Sequence, residues 1–254
     1  MQIVVTTTQQ RSLGLASPRT VGIACGELCQ YFYLFMSLLI VAVIAYGFSF
    51  TIGKNLLHPA IPRPWILYVH AIVFSSWLVF FVLQSALVRS RKVQWHRRLG
   101  WFGVVLGTLI PIVGVSTAVV MGRFNTVSLQ VTDAESFLVI PLFDMVCFSS
   151  TFPLAVYWRK KPELHRRLML VATCALTAAA FGRFPERILP GYLLYVGVDL
   201  LILLGVARDL IVNRTVHRVY LFVLPLFILG QTTVTYIAYH NAPLWLRIAH
   251  SVIG

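Results

Sequence analysis

Three ionisable residues interrupt long apolar runs: His70, Asp144 and Asp199. An ionisable side chain at the centre of a bilayer costs roughly 2.5–3.5 kcal/mol on insertion scales, so such groups persist where they meet a partner, a cavity or a ligand. His70, Trp77 and Gln84 are spaced i, i+7, i+14 and therefore share one helical face. Asp144, Cys147 and Thr151 share another, and Tyr195 stands one turn from Asp199. Arg183 and Arg187 lie near the ends of these runs, within reach of the carboxylates or of a bound anion. Thr233, Tyr236 and His240 line one half of the last run.

Three chemistries fit this set. In the first it is a packing network, with Asp144 paired to Arg183 and Asp199 bonded to Tyr195 or His70, because interhelical hydrogen bonds commonly join membrane helices. In the second, His70, Asp144, Asp199, Arg183, Tyr195 and Tyr236 form a binding or translocation site for a small molecule, a proton or a lipid head group. In the third, His70, Asp144, Asp199 and His240 hold iron or zinc through a mixed imidazole–carboxylate set. A bis-histidyl haem needs a second histidine at the depth of His70. His58, His240 and His250 lie at or beyond the outer end instead.

The elements that must position these residues are membrane spans. The 254 residues are 58% hydrophobic and only 11% charged, where soluble domains are about 45–50% apolar and about 25% charged. A helix of ~20 apolar residues crosses the hydrocarbon core. Seven segments qualify by sequence: 31–51, 65–88, 99–121, 137–158, 168–184, 191–207 and 219–239. The expected fold is all-α, a seven-helix transmembrane bundle over residues 28–254 behind a cytoplasmic tail at 1–27. Counted from the outer ends of their spans, His70, Asp144 and Asp199 sit ~8, ~10 and ~12 Å deep, a single level in the outer half.

Net charge is +13, with 21 Lys and Arg. In a soluble protein that balance would suggest nucleic acid; interleaved with apolar runs it sets orientation instead, and no nucleic-acid partner is expected. Fifteen of the 21 fall on the N-terminal side, chiefly in the turns 89–98, 159–167 and 208–218, which predicts a cytoplasmic N-terminus and an external C-terminus. Trp65 and Trp245 mark the outer boundary, and Trp95, Trp101 and Trp158 the inner one.

A short pattern recurs at the starts of ascending spans: His96-Arg97-Arg98-Leu99-Gly100, His165-Arg166-Arg167-Leu168-Met169 and the weaker His217-Arg218-Val219. This divides the chain into one helix plus three helical hairpins. The three histidines either converge on haem or a metal, or the His-Arg-Arg starts, His96, Arg97, Arg98, His165, Arg166 and Arg167, hold anionic lipid head groups at the cytoplasmic face, each arginine contributing ~1 kcal/mol. Cys25, Cys29, Cys147 and Cys174 have neither disulfide nor zinc spacing. Phosphate-loop, hydrolase-elbow and zincin motifs are missing from the sequence. Gly103 and Gly107 mark a close-packing helix.

His70-Ala71 with Trp77 and Gln84, His96-Arg97-Arg98-Leu99-Gly100, and His165-Arg166-Arg167-Leu168-Met169-Leu170 followed by Ala172-Thr173 carry a resemblance. From the second span onward the chain resembles a set of bacterial polytopic membrane proteins of unassigned activity, which implies a bacterial inner membrane. The short His-x-x-x-Gly and His-x-x-x-Met elements are also similar to those of small membrane proteins linked to cytochrome oxidase assembly, which implies a haem-related role. Three functions remain open: a protein binding a small ligand or partner subunit at the outer-half polar site, a haem- or metal-dependent membrane oxidoreductase or hydrolase, and an accessory subunit of a larger membrane complex.

Overall fold

The structure, a computed structural model, describes the backbone from Pro18 to Gly254 and the side chains from Tyr31 onward. Residues 1–17 of the expected tail, and the thiols of Cys25 and Cys29, lie outside the described residues. The described chain is helical, with no strand. Its elements are α1 (Pro18–Ser49), α2 (Trp65–Arg89), α3 (Val93–Val127), α4 (Ala134–Phe137), α5 (Val139–Tyr157), α6 (Pro162–Ala175), α7 (Ala178–Phe181), α8 (Leu194–Asn213), α9 (Arg218–Tyr239) and α10 (Pro243–Ile253). Helix α1 begins inside the stretch expected as tail, with Pro18 at its first position, where a missing N–H costs nothing. Pro162 and Pro243 open α6 and α10 for the same reason.

Among the described residues, six segments are long and apolar enough to cross a membrane: Tyr31–Ser49, Trp65–Arg89, Val93–Val127, Ala134–Tyr157, Pro162–Phe181 and Arg218–Tyr239. This is a multi-pass membrane protein by length and composition. The sixth expected span, 191–207, corresponds to α8, which is 20 residues long but carries Asp199, Arg208 and Asp209 and falls outside those six. The fifth span begins at Pro162 rather than Leu168 and is built from α6 and α7 in tandem. At their junction the Thr177 hydroxyl donates to the Cys174 carbonyl at 2.6 Å.

Helices α5 and α6 occupy the middle. The α6–α7 span is 72% buried inside the protein, against 17% for α2, so its polar residues are shielded from lipid by neighbouring helices. Lipid tails are as apolar as leucine, and association therefore rests on close packing. One cluster joins Met36 and Ile40 of α1 to Leu170 and Cys174 of α6 and Ile202 of α8. A second joins Trp77 and Phe80 of α2 to Ile110 of α3 and Phe148 and Phe152 of α5. Gly103 and Gly107 admit the rings of Phe80 and Phe152 against the α3 backbone, where a Cβ would collide with each ring. That bears out the close-packing role expected for this glycine pair.

Helix α10 has no counterpart among the expected spans. It buries Ala249 and Ile253 against Leu138 and leaves Leu244, Ile248 and Val252 exposed. The Trp245 indole donates to the Glu135 carbonyl at 3.0 Å, tying α10 to α4.

Candidate functional site

Asp144 is buried on α5, and the Tyr195 hydroxyl of α8 donates to its Oδ1 at 2.9 Å. One turn along α8 stands Asp199, half-buried, with its Oδ1 inaccessible and lacking a hydrogen-bond partner among the described residues. The Gln231 side chain of α9 acts on the Asp199 carboxyl as a hydrogen-bond partner, whereas Gln231 Oε1 has no partner among the described residues. Cys147 and Tyr195 each lie within electrostatic reach of both the Asp144 and Asp199 carboxyl groups. Three helices thus bring two carboxyls, a phenol, a thiol and an amide to one interior locus. The i, i+3 spacing on α5 and the i, i+4 spacing on α8 produce it directly.

The other expected members stand apart. His70 stacks on Phe74 at 3.9 Å between ring centroids, and the charge acting on it is that of Arg183. The Arg183 guanidinium donates to the Ala179 carbonyl and lies 4.4 Å from the Phe48 ring centroid. Among the described residues the expected Asp144–Arg183 pairing is not formed; Tyr195 donates to Asp144, and Arg183 to Ala179. Tyr236 and His240 stack on each other at 4.2 Å on an exposed part of α9, and the Tyr236 carbonyl lies 3.1 Å from His240 Nδ1. Among the described residues no three His, Cys, Asp or Glu converge in a group able to hold a metal ion, so His70, Asp144, Asp199 and His240 are not gathered as one ligand set. Two apolar grooves, of about 450 and 370 Å³, open between α3 and α5 along Pro111, and neither is lined by Asp144 or Asp199.

The three His-Arg helix starts divide into separate duties. His165 Nδ1 lies 2.8 Å from the Ala155 carbonyl, which can only accept, so this nitrogen carries the proton and caps one of the carbonyls left over at the end of α5. The His96 ring approaches it at 6.3 Å. His217 caps α9: its Nδ1 accepts from the Val219 N–H at 3.2 Å. Burial, then the Arg167 charge, hold the His217 imidazole below its ordinary pKa despite the opposing pull of Asp209 and Glu163.

Arg167 corrects the expectation that both arginines of this start face lipid. It is only 1% exposed and donates from Nε and Nη2 to the two Asp209 oxygens at 2.8 and 2.6 Å. Its Nη1 donates to the Glu163 carbonyl and carboxylate at 2.8 and 2.6 Å. Arg208 Nη1 and Asn213 Nδ2 also donate to Asp209 Oδ1, at 2.9 and 3.2 Å. With four of its five N–H groups engaged and its side chain buried, the Arg167 guanidinium is not presented to a head group. Sequence reasoning missed Asp209 because an acid inside a basic turn reads as solvated; its partner Arg167 comes from a helix 42 residues earlier, which spacing alone does not reveal.

No family profile, curated protein or solved structure matches the chain.

Proposed function

We propose that this chain is a seven-span protein of a bacterial cytoplasmic membrane, N-terminus cytoplasmic and C-terminus outside, whose outer-half site at Asp144, Tyr195 and Asp199 binds a small cation. One observation carries the reading: the Asp199 Oδ1 is buried without a hydrogen-bond partner among the described residues, beside a second buried carboxyl and a shared thiol and phenol. Carboxyl oxygens in a low-dielectric interior need a donor or a positive charge. The locus lies in packed core away from the apolar grooves, which favours an inorganic ion or a small protonated amine over a bulky ligand. The lysine and arginine count supports the orientation. Anionic lipid head groups are the proposed partners of Arg97 and Arg98, both exposed at the basic end.

Thermal unfolding in sodium, potassium and methylammonium chloride tests the site. A ligand at 100 times its Kd stabilises by about 2.7 kcal/mol. The expected result is a rise in Tm with one of these cations that disappears in Asp199→Asn, with the variant still folded. No cation-dependent rise, with Asp144→Asn and Asp199→Asn equally destabilised, would mean that the locus is a packing network.

A further inference from the structure

The face of α2 that carries His70, Trp77 and Gln84 presents four buried polar atoms with no hydrogen-bond partner among the described residues: His70 Nδ1, Trp77 Nε1, and Nε2 and Oε1 of Gln84. Trp77 is 1% exposed and Gln84 8%, so neither reaches bulk solvent or lipid head groups. The three residues span ~21 Å of helix, most of the hydrocarbon thickness. The rings packed on this face are aromatic: Trp77 is met by Phe148 and Phe152 at 5.4 and 5.5 Å, and His70 by Phe74. Arg89 lies 3.8 Å over the Tyr31 ring, which fixes the Gln84 end of this face at the basic end of the bundle. His70 stands at the other end, toward Arg183.

Polar atoms left unmade in an apolar interior are expensive, and an apolar residue of the same shape would serve packing better. A row of them at heptad spacing, all turned inward, instead suits small polar molecules that bond to each in turn. Buried waters do this, making about three hydrogen bonds apiece to otherwise unsatisfied groups. We propose that His70, Trp77 and Gln84 line a file of water molecules running through the bundle beside α2. Imidazole and amide can each donate and accept, whereas the indole only donates, so the water at Trp77 accepts from Nε1 and passes its own protons toward the two ends. The file rests on different residues from the Asp144–Asp199 site and stands or falls without it.

The test is exchange of the Trp77 indole N–H with heavy water in nanodisc-embedded protein carrying nitrogen-labelled tryptophan, the signal assigned by Trp77→Phe. The file predicts exchange within about a hundredfold of the boundary residue Trp65, since water already touches the N–H. It also predicts that Gln84→Leu slows Trp77 exchange by at least about tenfold and lowers Tm. Exchange more than about a hundredfold slower than at Trp65 would overturn the file, as would a Gln84→Leu protein with raised Tm and unchanged exchange. If Gln84→Leu does not fold, Gln84→Met takes its place, and the rate in the unaltered protein decides by itself.

Discussion

Arg167 and Asp209 lie 42 residues apart and meet through two parallel hydrogen bonds, Nε to Oδ2 at 2.8 Å and Nη2 to Oδ1 at 2.6 Å, both side chains fully buried. This fork joins the start of α6 to the end of α8 and fixes the register of the central helix. Removing one member of a buried pair strands the other, a loss of about 3–5 kcal/mol. Asp209→Asn should therefore lower stability by that order, and Arg167→Met similarly. The double variant Arg167→Met with Asp209→Asn, which keeps an acceptor for Arg208, should lose less than the sum of the two single losses, as read by thermal unfolding in detergent. Additive losses would show that the two residues act separately.

Tyr195→Phe removes the one donor shown for Asp144 while leaving the ring in place. A buried acceptor left unpaired costs about 1–3 kcal/mol, so the variant should unfold at lower temperature by a corresponding amount. Asp144→Asn keeps an acceptor for the Tyr195 hydroxyl and should lose less. Equal stability of Tyr195→Phe and the unaltered protein would argue that the phenol does not hold Asp144.

His217 makes the basic end sensitive to acid. Its folded pKa lies below the ordinary value of 6.5, so protonation favours the unfolded chain. The stability it contributes is complete above about pH 6.5 and declines as pH falls toward the folded-state value. Protonation also removes the Nδ1 lone pair that accepts from Val219. Tm measured from pH 8 to pH 5 should fall less in His217→Asn, which retains a capping acceptor without a titrating ring. Parallel curves for the two proteins would refute this.

Gly107 sits where the Phe152 ring meets the α3 backbone. Gly107→Val should destabilise by about 1–3 kcal/mol through overpacking. Gly100 has open space beside it, and Gly100→Ala should be close to neutral in the same thermal assay. If the two glycines behaved alike, close approach would not be the reason for the α3 spacing.

Sequence periodicity made the spans legible because a span is a property of local composition, and the apolar runs of α1, α2, α3, α5, the α6–α7 pair and α9 stand in the structure. The pairing of polar groups was less legible. Asp144, Cys147, Tyr195 and Asp199 were found from helical spacing, yet spacing says only which face a residue occupies, not which helix comes opposite. His70 was expected beside them by depth alone, and its helix faces Phe148 and Phe152 instead. Helix α10 escaped notice because eleven residues are too few to read as a span. The three-histidine repeat hid two different roles: the His165 cap on Ala155 depends on a helix end brought back by the turn, whereas the His217 cap on Val219 is local, two residues along the chain.

The most direct measurement on the central claim is equilibrium binding of radiolabelled sodium, rubidium and methylammonium to nanodisc-embedded protein, unaltered and as Asp199→Asn. Saturable binding of one of these cations, about one per chain and lost in the variant, is the result expected of the Asp144–Asp199 site. Binding that is unsaturable for all three, or identical in the two folded proteins, would contradict it.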